Sequence, residues 1–184
     1  MRASNHEVVR GVEPRDEAVF PALVDRYGPS LFRVAFSLTG SVADAEDIVQ
    51  ETFLAAFEGW NRFEGRSSVK TWLTGILVKK AARHRRYRKL RNTLSLDHLS
   101  GVLRSAFGHT QTTVPLSEHE MRMDIETLFG ALSPEHREAM VLREVQGMSY
   151  KEMAAVLGVP VGTVESRLHR ARQVLRDRFS DYFA

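Results

Sequence analysis

The sequence predicts an all-α protein built as two small helical domains joined by a flexible linker. Three observations carry that expectation. Apolar residues recur at i, i+3, i+4 and i+7 nearly everywhere, the period of one helix face. No segment alternates convincingly as a strand does, and there is no internal repeat. Residues 92–117 are rich in Ser, Thr and Gly and hold no sustained pattern, which is how a linker reads.

The elements follow in order. Phe20, Leu23, Val24 and Tyr27 open one apolar stripe. Leu31, Phe32, Ala35 and Phe36 continue it beyond a break expected at Gly28-Pro29. A second break falls at Thr39-Gly40-Ser41. Ser41 is a good N-cap, and Asp44 lies in the first turn, where a carboxylate favours the helix dipole. That helix should run to about Gly59, with Ala45, Ile48, Val49, Thr52, Phe53, Ala56 and Phe57 inward. Residues 61–68 (NRFEGRSS) read as a polar loop. A long helix over 69–91 puts Val69, Leu73, Ile76 and Leu77 on one face. Residues 13–91 thus make the first domain.

The linker carries at most a helical turn around Leu99 to Phe107. The second domain, 118–184, starts with a helix from about Glu118 to Leu132. Ser133 then caps a helix with Pro134 at its first position, ending near Gln146-Gly147.

The most informative stretch is Ser149 to Arg172, SYKEMAAVLGVPVGTVESRLHRAR. Ser149 and Glu152 form a capping box. Met153, Ala154 and Leu157 are apolar at helical spacing, and Gly158 stands where a tight turn needs positive φ. A second helix begins near Val161 to Thr163, with Val164, Leu168 and Ala171 inward. Helix, glycine turn, helix is the helix-turn-helix pattern, whose second helix enters the DNA major groove. Its outward residues, Glu165, Ser166, Arg167, His169, Arg170 and Arg172, are of the types that read base edges and hold phosphates.

Charge is unevenly spread although the net value is only +3. Residues 1–60 carry five Arg/Lys against ten Asp/Glu, whereas residues 61–92 carry eleven Arg/Lys against one Glu. That second block is a candidate polyanion site, because each Lys or Arg on a phosphate releases a condensed counterion. The absence of cysteine excludes disulfides and thiolate chemistry and suits a reducing cytoplasm. No apolar run reaches membrane-spanning length, so no membrane insertion is expected, and Met1 to Val12 lacks the apolar core of a secretory signal. Phosphate-loop, zinc-protease, nucleophile-elbow and dinucleotide signatures are missing, and the seven histidines are scattered. The expectation is a protein without catalytic residues, metal or cofactor.

Three segments resemble one known family. Residues 44–53 (DAEDIVQETF) look like the core-binding helix of the sigma-seventy superfamily. Residues 70–73 (KTWL), after the polar loop, look like its promoter-melting region. Residues 132–138 (LSPEHRE) with the helix-turn-helix look like its fourth region. Two domains without a middle one form the pattern of extracytoplasmic-function sigma factors. The resemblance implies a region 2 helical bundle over 13–91 and a region 4 helix-turn-helix over 118–184.

It implies core RNA polymerase, promoter DNA and an anti-sigma factor as partners, in the cytoplasm. Asp44, Glu46, Asp47, Gln50 and Glu51 would meet the polymerase; Asp44, Asp47 and Glu51 fall at i, i+3, i+7, an outward acidic stripe. Asn61, Arg62, Phe63 and Ser67 would serve a pocket for a flipped minus-ten base, with Trp72 at the duplex edge. Phe63 reads equally as a core residue, and a single Trp on an amphipathic helix, as Trp72 is, is more often a packing residue. Lys79, Lys80, Arg83, Arg86 and Arg88 would follow the phosphates. Glu165, Ser166, His169 and Arg170 would lie over the minus-thirty-five element, and Arg167 and Arg172 on its backbone. Glu165 departs from the basic or small residue many relatives carry, so the preferred base there stays open. A free-standing helix-turn-helix regulator is the alternative; it leaves the acidic stripe and the basic block without a task.

Overall fold

The computed structural model describes residues 19–94 and 127–179, and every element among them is helical. In chain order these are α1 (Val19–Thr39), α2 (Val42–Gly59), a 3-10 turn (Trp60–Arg62), α3 (Val69–Leu94), α4 (Pro134–Met140), α5 (Tyr150–Leu157) and α6 (Val161–Arg178). A π turn, Val141–Val145, continues α4 directly. Residues 127–130 are also helical. The segments 95–117 and 118–126, and with them most of the expected linker and the start of the expected helix to Leu132, lie outside the described residues.

The break expected at Gly28-Pro29 does not occur, since α1 runs through Pro29 without interruption. Proline inside a helix removes one backbone bond and crowds the preceding turn, a cost of about 3 kcal/mol. Burial on both sides of it opposes that cost. Leu31, Val34, Ala35 and Leu38 are core residues, and Phe20, Leu23 and Tyr27 pack against the core from the other half. A continuous helix keeps both halves on one face toward α2 and α3.

Gly40, at φ +68°, reverses the chain between α1 and α2, and Ser41 Oγ accepts from Asp44 N–H at 3.3 Å as the N-cap. Ala45, Ile48, Thr52, Phe53 and Ala56 are buried as expected, but Phe57 is 48% exposed. It meets Phe20 edge-on (5.2 Å) and leaves its other side open. Asn61 and Arg62 belong to the 3-10 turn, not to the loop, which shortens to 63–68. α3 extends to Leu94, three residues into the expected linker.

In the second half, Ser133 caps α4 with Pro134 at its start, and the capping box of Ser149 and Glu152 opens α5. Gly158 takes the left-handed conformation (φ 66°) that ends α5, and α6 begins three residues later. Val164, Leu168, Ala171 and Leu175 bury the inner face of α6. The two halves share one connected core. A β-carbon on Gly75 of α3 would stand 3.9 Å from Val156 of α5.

Candidate nucleic-acid interface

Helical periodicity gives α3 one face toward α2, one toward the second half of the chain and one that is largely outward. Lys80, His84 and Arg88 turn to α2: Lys80 Nζ lies 3.1 Å from Glu51 Oε2, and Arg88 Nη1 lies 2.9 Å from Asp44 Oδ2. Thr71, Thr74, Val78 and Ala81 are buried, with Thr71 and Thr74 bonded to the second half of the chain, as are Lys70 and Arg85. The third stripe starts at Trp72, which lies against Gly59 at the end of α2, and continues through Ile76, Lys79, Arg83, Arg86, Tyr87 and Leu90, its later residues turned outward. Lys79, Arg83 and Arg86 are exposed and make no ion pair among the described residues. Thus three of the expected phosphate-tracking cations stand on the outward stripe, while Lys80 and Arg88 are turned onto α2. Tyr87 (65% exposed) and Leu90, which sequence reasoning did not single out, extend the same stripe.

At its N-terminal end the stripe meets an aromatic cluster. Phe63 lies 4.8 Å from Trp72 and 5.9 Å from Trp60, and the two indoles meet edge-on at 5.8 Å. Trp60 is buried; Phe63 and Trp72 are half-buried, so each both packs and keeps an open edge. Gly65 at φ +66° turns the loop, and Ser68 Oγ caps α3 by accepting from Thr71 N–H at 3.0 Å. Ser67 sits half-buried at the loop end, and Asn61 and Arg62 are exposed beside it.

On α2 the acidic stripe divides. Glu46, Asp47 and Gln50 are exposed, and Glu51 is exposed but paired with Lys80. Asp44, expected to face outward, is turned instead into α3, between Arg88 and His84. Two apolar side chains share the outward face, Leu54 (59% exposed) and Phe57. Their signal is present in the sequence: Leu54 follows Asp47 by seven residues and Gln50 by four, and so shares their face.

On α6, Glu165, Ser166, His169, Arg170 and Arg172 are exposed, and Arg167 is half-buried. Ser166 Oγ donates to the Thr163 carbonyl (3.0 Å), and Arg172 Nη2 holds Glu144 Oε1 at 3.1 Å. The Glu144 carboxylate, and after it Tyr150, raise the Arg172 pKa. Tyr150, Glu165, His169, Arg172, Gln173 and Arg176 line a shallow cleft of about 330 Å³ beside that helix. Among the described residues no cluster of His, Asp or Glu has the makings of a metal site, and no helix is long and apolar enough to cross a membrane.

An outward, cation-rich helix on a capped helix-turn-helix, together with a separate cationic stripe ending in aromatic side chains, is the arrangement expected of a DNA-binding protein with two reading elements. Comparison with known proteins narrows the class. Residues 23–91 match the family profile described as Sigma-70 region 2, and residues 122–175 match that of Sigma-70, region 4. The chain is 32% identical over 178 residues to the ECF RNA polymerase sigma-E factor of Salmonella typhimurium, covering 93% of this chain and 92% of that one. It is 33% identical over 174 residues to the ECF RNA polymerase sigma factor SigE of Mycolicibacterium smegmatis, covering 88% of this chain but 63% of that longer protein. Among solved structures it is similar to the sigma factor RpoE from Bartonella quintana, crystallised with the anti-sigma factor NepR (TM-score 0.64, 28% identity, 86% and 95% coverage). The chain belongs to the extracytoplasmic-function sigma factors of the sigma-70 family.

Proposed function

We propose that this chain directs core RNA polymerase to promoters with two recognition elements, and that an anti-sigma factor controls it in the cytoplasm. Its role is that of an initiation factor and carries no catalytic step of its own. Residues 13–91 act as region 2, 92–117 as the linker and 118–184 as region 4.

Glu46, Asp47 and Gln50, with Glu51 at the edge, steer and register the polymerase subunit, and Leu54 and Phe57 supply apolar contact. Asp44 serves that surface indirectly, by fixing α2 against α3. Phe63 and Trp72, with Asn61, Arg62 and Ser67, receive the unstacked minus-ten base, and Lys79, Arg83 and Arg86 follow the adjoining phosphates. Glu165, Ser166, His169 and Arg170 face the bases of the minus-thirty-five element; Arg167 and Arg172 lie at its edge.

The observation that carries the reading is the outward stripe of α3, three exposed cations leading to a half-open aromatic cluster. A helix-turn-helix regulator needs no second element of that kind. Run-off transcription with purified core polymerase on a pool of genomic fragments tests it. New transcripts that start downstream of a shared two-element sequence are expected. Tight binding to duplex by the protein alone, with no transcripts, would move the assignment to a free-standing regulator.

A further inference from the structure

A cleft opens beside α3 toward its C-terminal end, on the side roughly opposite the Lys79, Arg83 and Arg86 stripe. Arg85, Arg88 and Lys89 of α3, Arg137 of α4 and the end of α1 enclose about 410 Å³. That size is ordinary for a small-molecule pocket. Buried Leu38 and Ala81 form its apolar part.

Its charge is out of balance. Arg85 Nη1 holds Glu138 Oε1, and Arg88 Nη1 holds Asp44, whose other oxygen lies 3.5 Å from His84. Arg137 meets no carboxylate among the described residues. Its Nε donates to the Phe129 carbonyl at 2.8 Å, and its Nη1 to that of Leu38 at 3.4 Å. Burial, and after it the charge on Arg85, push the Arg137 pKa down, so the cation is held there against both. Glu135 is within electrostatic reach of Arg85, but its carboxylate is bonded first of all to its own backbone N–H, and to Ser133. The cleft thus gathers four cations, Arg85, Arg88, Lys89 and Arg137, around two carboxylates already paired.

The cations form a row. Arg85 stands beside Arg137, and Arg88 and Lys89 follow about one helical turn, roughly 5 Å, farther along α3. Guanidinium groups take phosphoryl oxygens through paired N–H bonds. A lone phosphate reaches one end of the row, whereas two linked phosphoryl groups reach both. We propose that this cleft is a binding site for a small anion carrying two directly linked phosphoryl groups. Arg85 and Arg137 take one group, and Arg88 and Lys89 the other. A duplex lying along the outward stripe does not reach Arg85 and Arg88, and its phosphoryl groups are separated by sugars rather than linked.

Calorimetric titration of the full-length protein with sodium pyrophosphate, at constant ionic strength, tests the site. One pyrophosphate per chain is expected. The thermal midpoint should rise by mass action, and sodium chloride of equal ionic strength should not raise it. Orthophosphate should bind about tenfold more weakly or worse. Arg137→Gln should weaken pyrophosphate binding by about tenfold, the loss of one charge-assisted contact. Because Arg137 also bonds two backbone carbonyls, Lys89→Gln, on an exposed side chain, is the second variant and should act alike. Circular dichroism checks that both are folded. Lys151→Gln removes the same charge from an exposed position on α5, near the opposite end of α3, and should leave binding unchanged. Absence of saturable binding, an equal loss in the Lys151 variant, or undiminished binding in the folded Arg137 and Lys89 variants overturns the site. Orthophosphate that binds as tightly as pyrophosphate overturns the assignment to two phosphoryl groups. A short duplex that displaces pyrophosphate mole for mole would make the cleft a nucleic-acid backbone site and overturn it likewise. None of these readouts involves transcription, so they decide the site whether or not run-off is seen.

Discussion

Arg85 of α3 and Glu138 of α4 meet across the two halves, Nη1 to Oε1 at 2.9 Å, with the Glu138 carboxylate almost enclosed and the guanidinium partly in water. A carboxylate in that position depends on its partner more than an exposed one does. Arg85→Ala should therefore destabilise the fold by about 1 kcal/mol, the screening of the exposed arginine keeping the figure low. Arg85→Ala with Glu138→Gln should recover part of the loss. Urea denaturation of the four proteins of this cycle measures the coupling; additive losses would mean that the pair contributes nothing.

The Glu152 carboxyl is held below the ordinary range, first by the backbone N–H of Ser149 and then by its hydroxyl. The Thr71 hydroxyl and the Lys70 ammonium lower it further, against partial burial, which raises it. A carboxyl that is more acidic folded than unfolded contributes stability fully above its ordinary value, 4.5, and loses that contribution as pH falls through the folded value. Between about pH 5 and pH 3 the unmutated protein should lose more stability than Glu152→Gln does. Denaturation midpoints that fall in parallel would show that the charge on Glu152 is immaterial.

Much of this architecture is legible in the sequence because short-range chemistry dictates it. Ser41, Ser133 and Ser149 cap the helices they were expected to cap, and Gly158 adopts the left-handed turn between α5 and α6. These features depend on neighbours within four residues. Pro29 misleads because its local cost is outweighed by burial of side chains distant in the sequence. Asp44 misleads likewise: helical spacing puts it near Asp47 and Glu51, but Arg88, forty-four residues away, takes its carboxylate. Gln146, 3% exposed and bonded to Ser30 and Thr74, carries no sequence signal at all, since a glutamine near a helix end reads as solvent-exposed until the partner helices are known.

Gly75 lies inside α3, where glycine costs about 0.5–1 kcal/mol relative to alanine. Its closest neighbour would stand 3.9 Å from an added β-carbon, which is ordinary van der Waals contact. Gly75→Ala should therefore raise stability by about that amount, read as a higher thermal midpoint. A lower midpoint would show that α3 and α5 need an even closer approach than the glycine gives them.

The division of the α2 face predicts two different failures. Charge reversal at Asp47 and Glu51 should abolish binding to core polymerase while leaving the helical signal intact. Leu54→Ala should weaken that binding by about tenfold, near 1.4 kcal/mol, if its side chain sits in the contact. Asp44→Ala should instead lower thermal stability, because it releases Arg88, with a smaller effect on docking. Binding titrations beside thermal melts separate the two. Unchanged affinity in the reversed variant would remove polymerase docking from this face.

Arg170 is the cleanest test of base reading on α6. It is exposed two residues beyond buried Leu168 and one before buried Ala171, so its side chain cannot be needed for packing. Unlike Arg172, which holds Glu144, it takes part in no ion pair among the described residues. Arg170→Ala should leave the thermal midpoint unchanged and reduce transcription from the cognate promoter by an amount equivalent to about 1–3 kcal/mol. The decisive comparison is with a promoter altered only in its minus-thirty-five element. If Arg170 reads a base, the variant loses its preference between the two templates; if it holds a phosphate, both fall equally and the salt dependence of binding becomes shallower by about one ion.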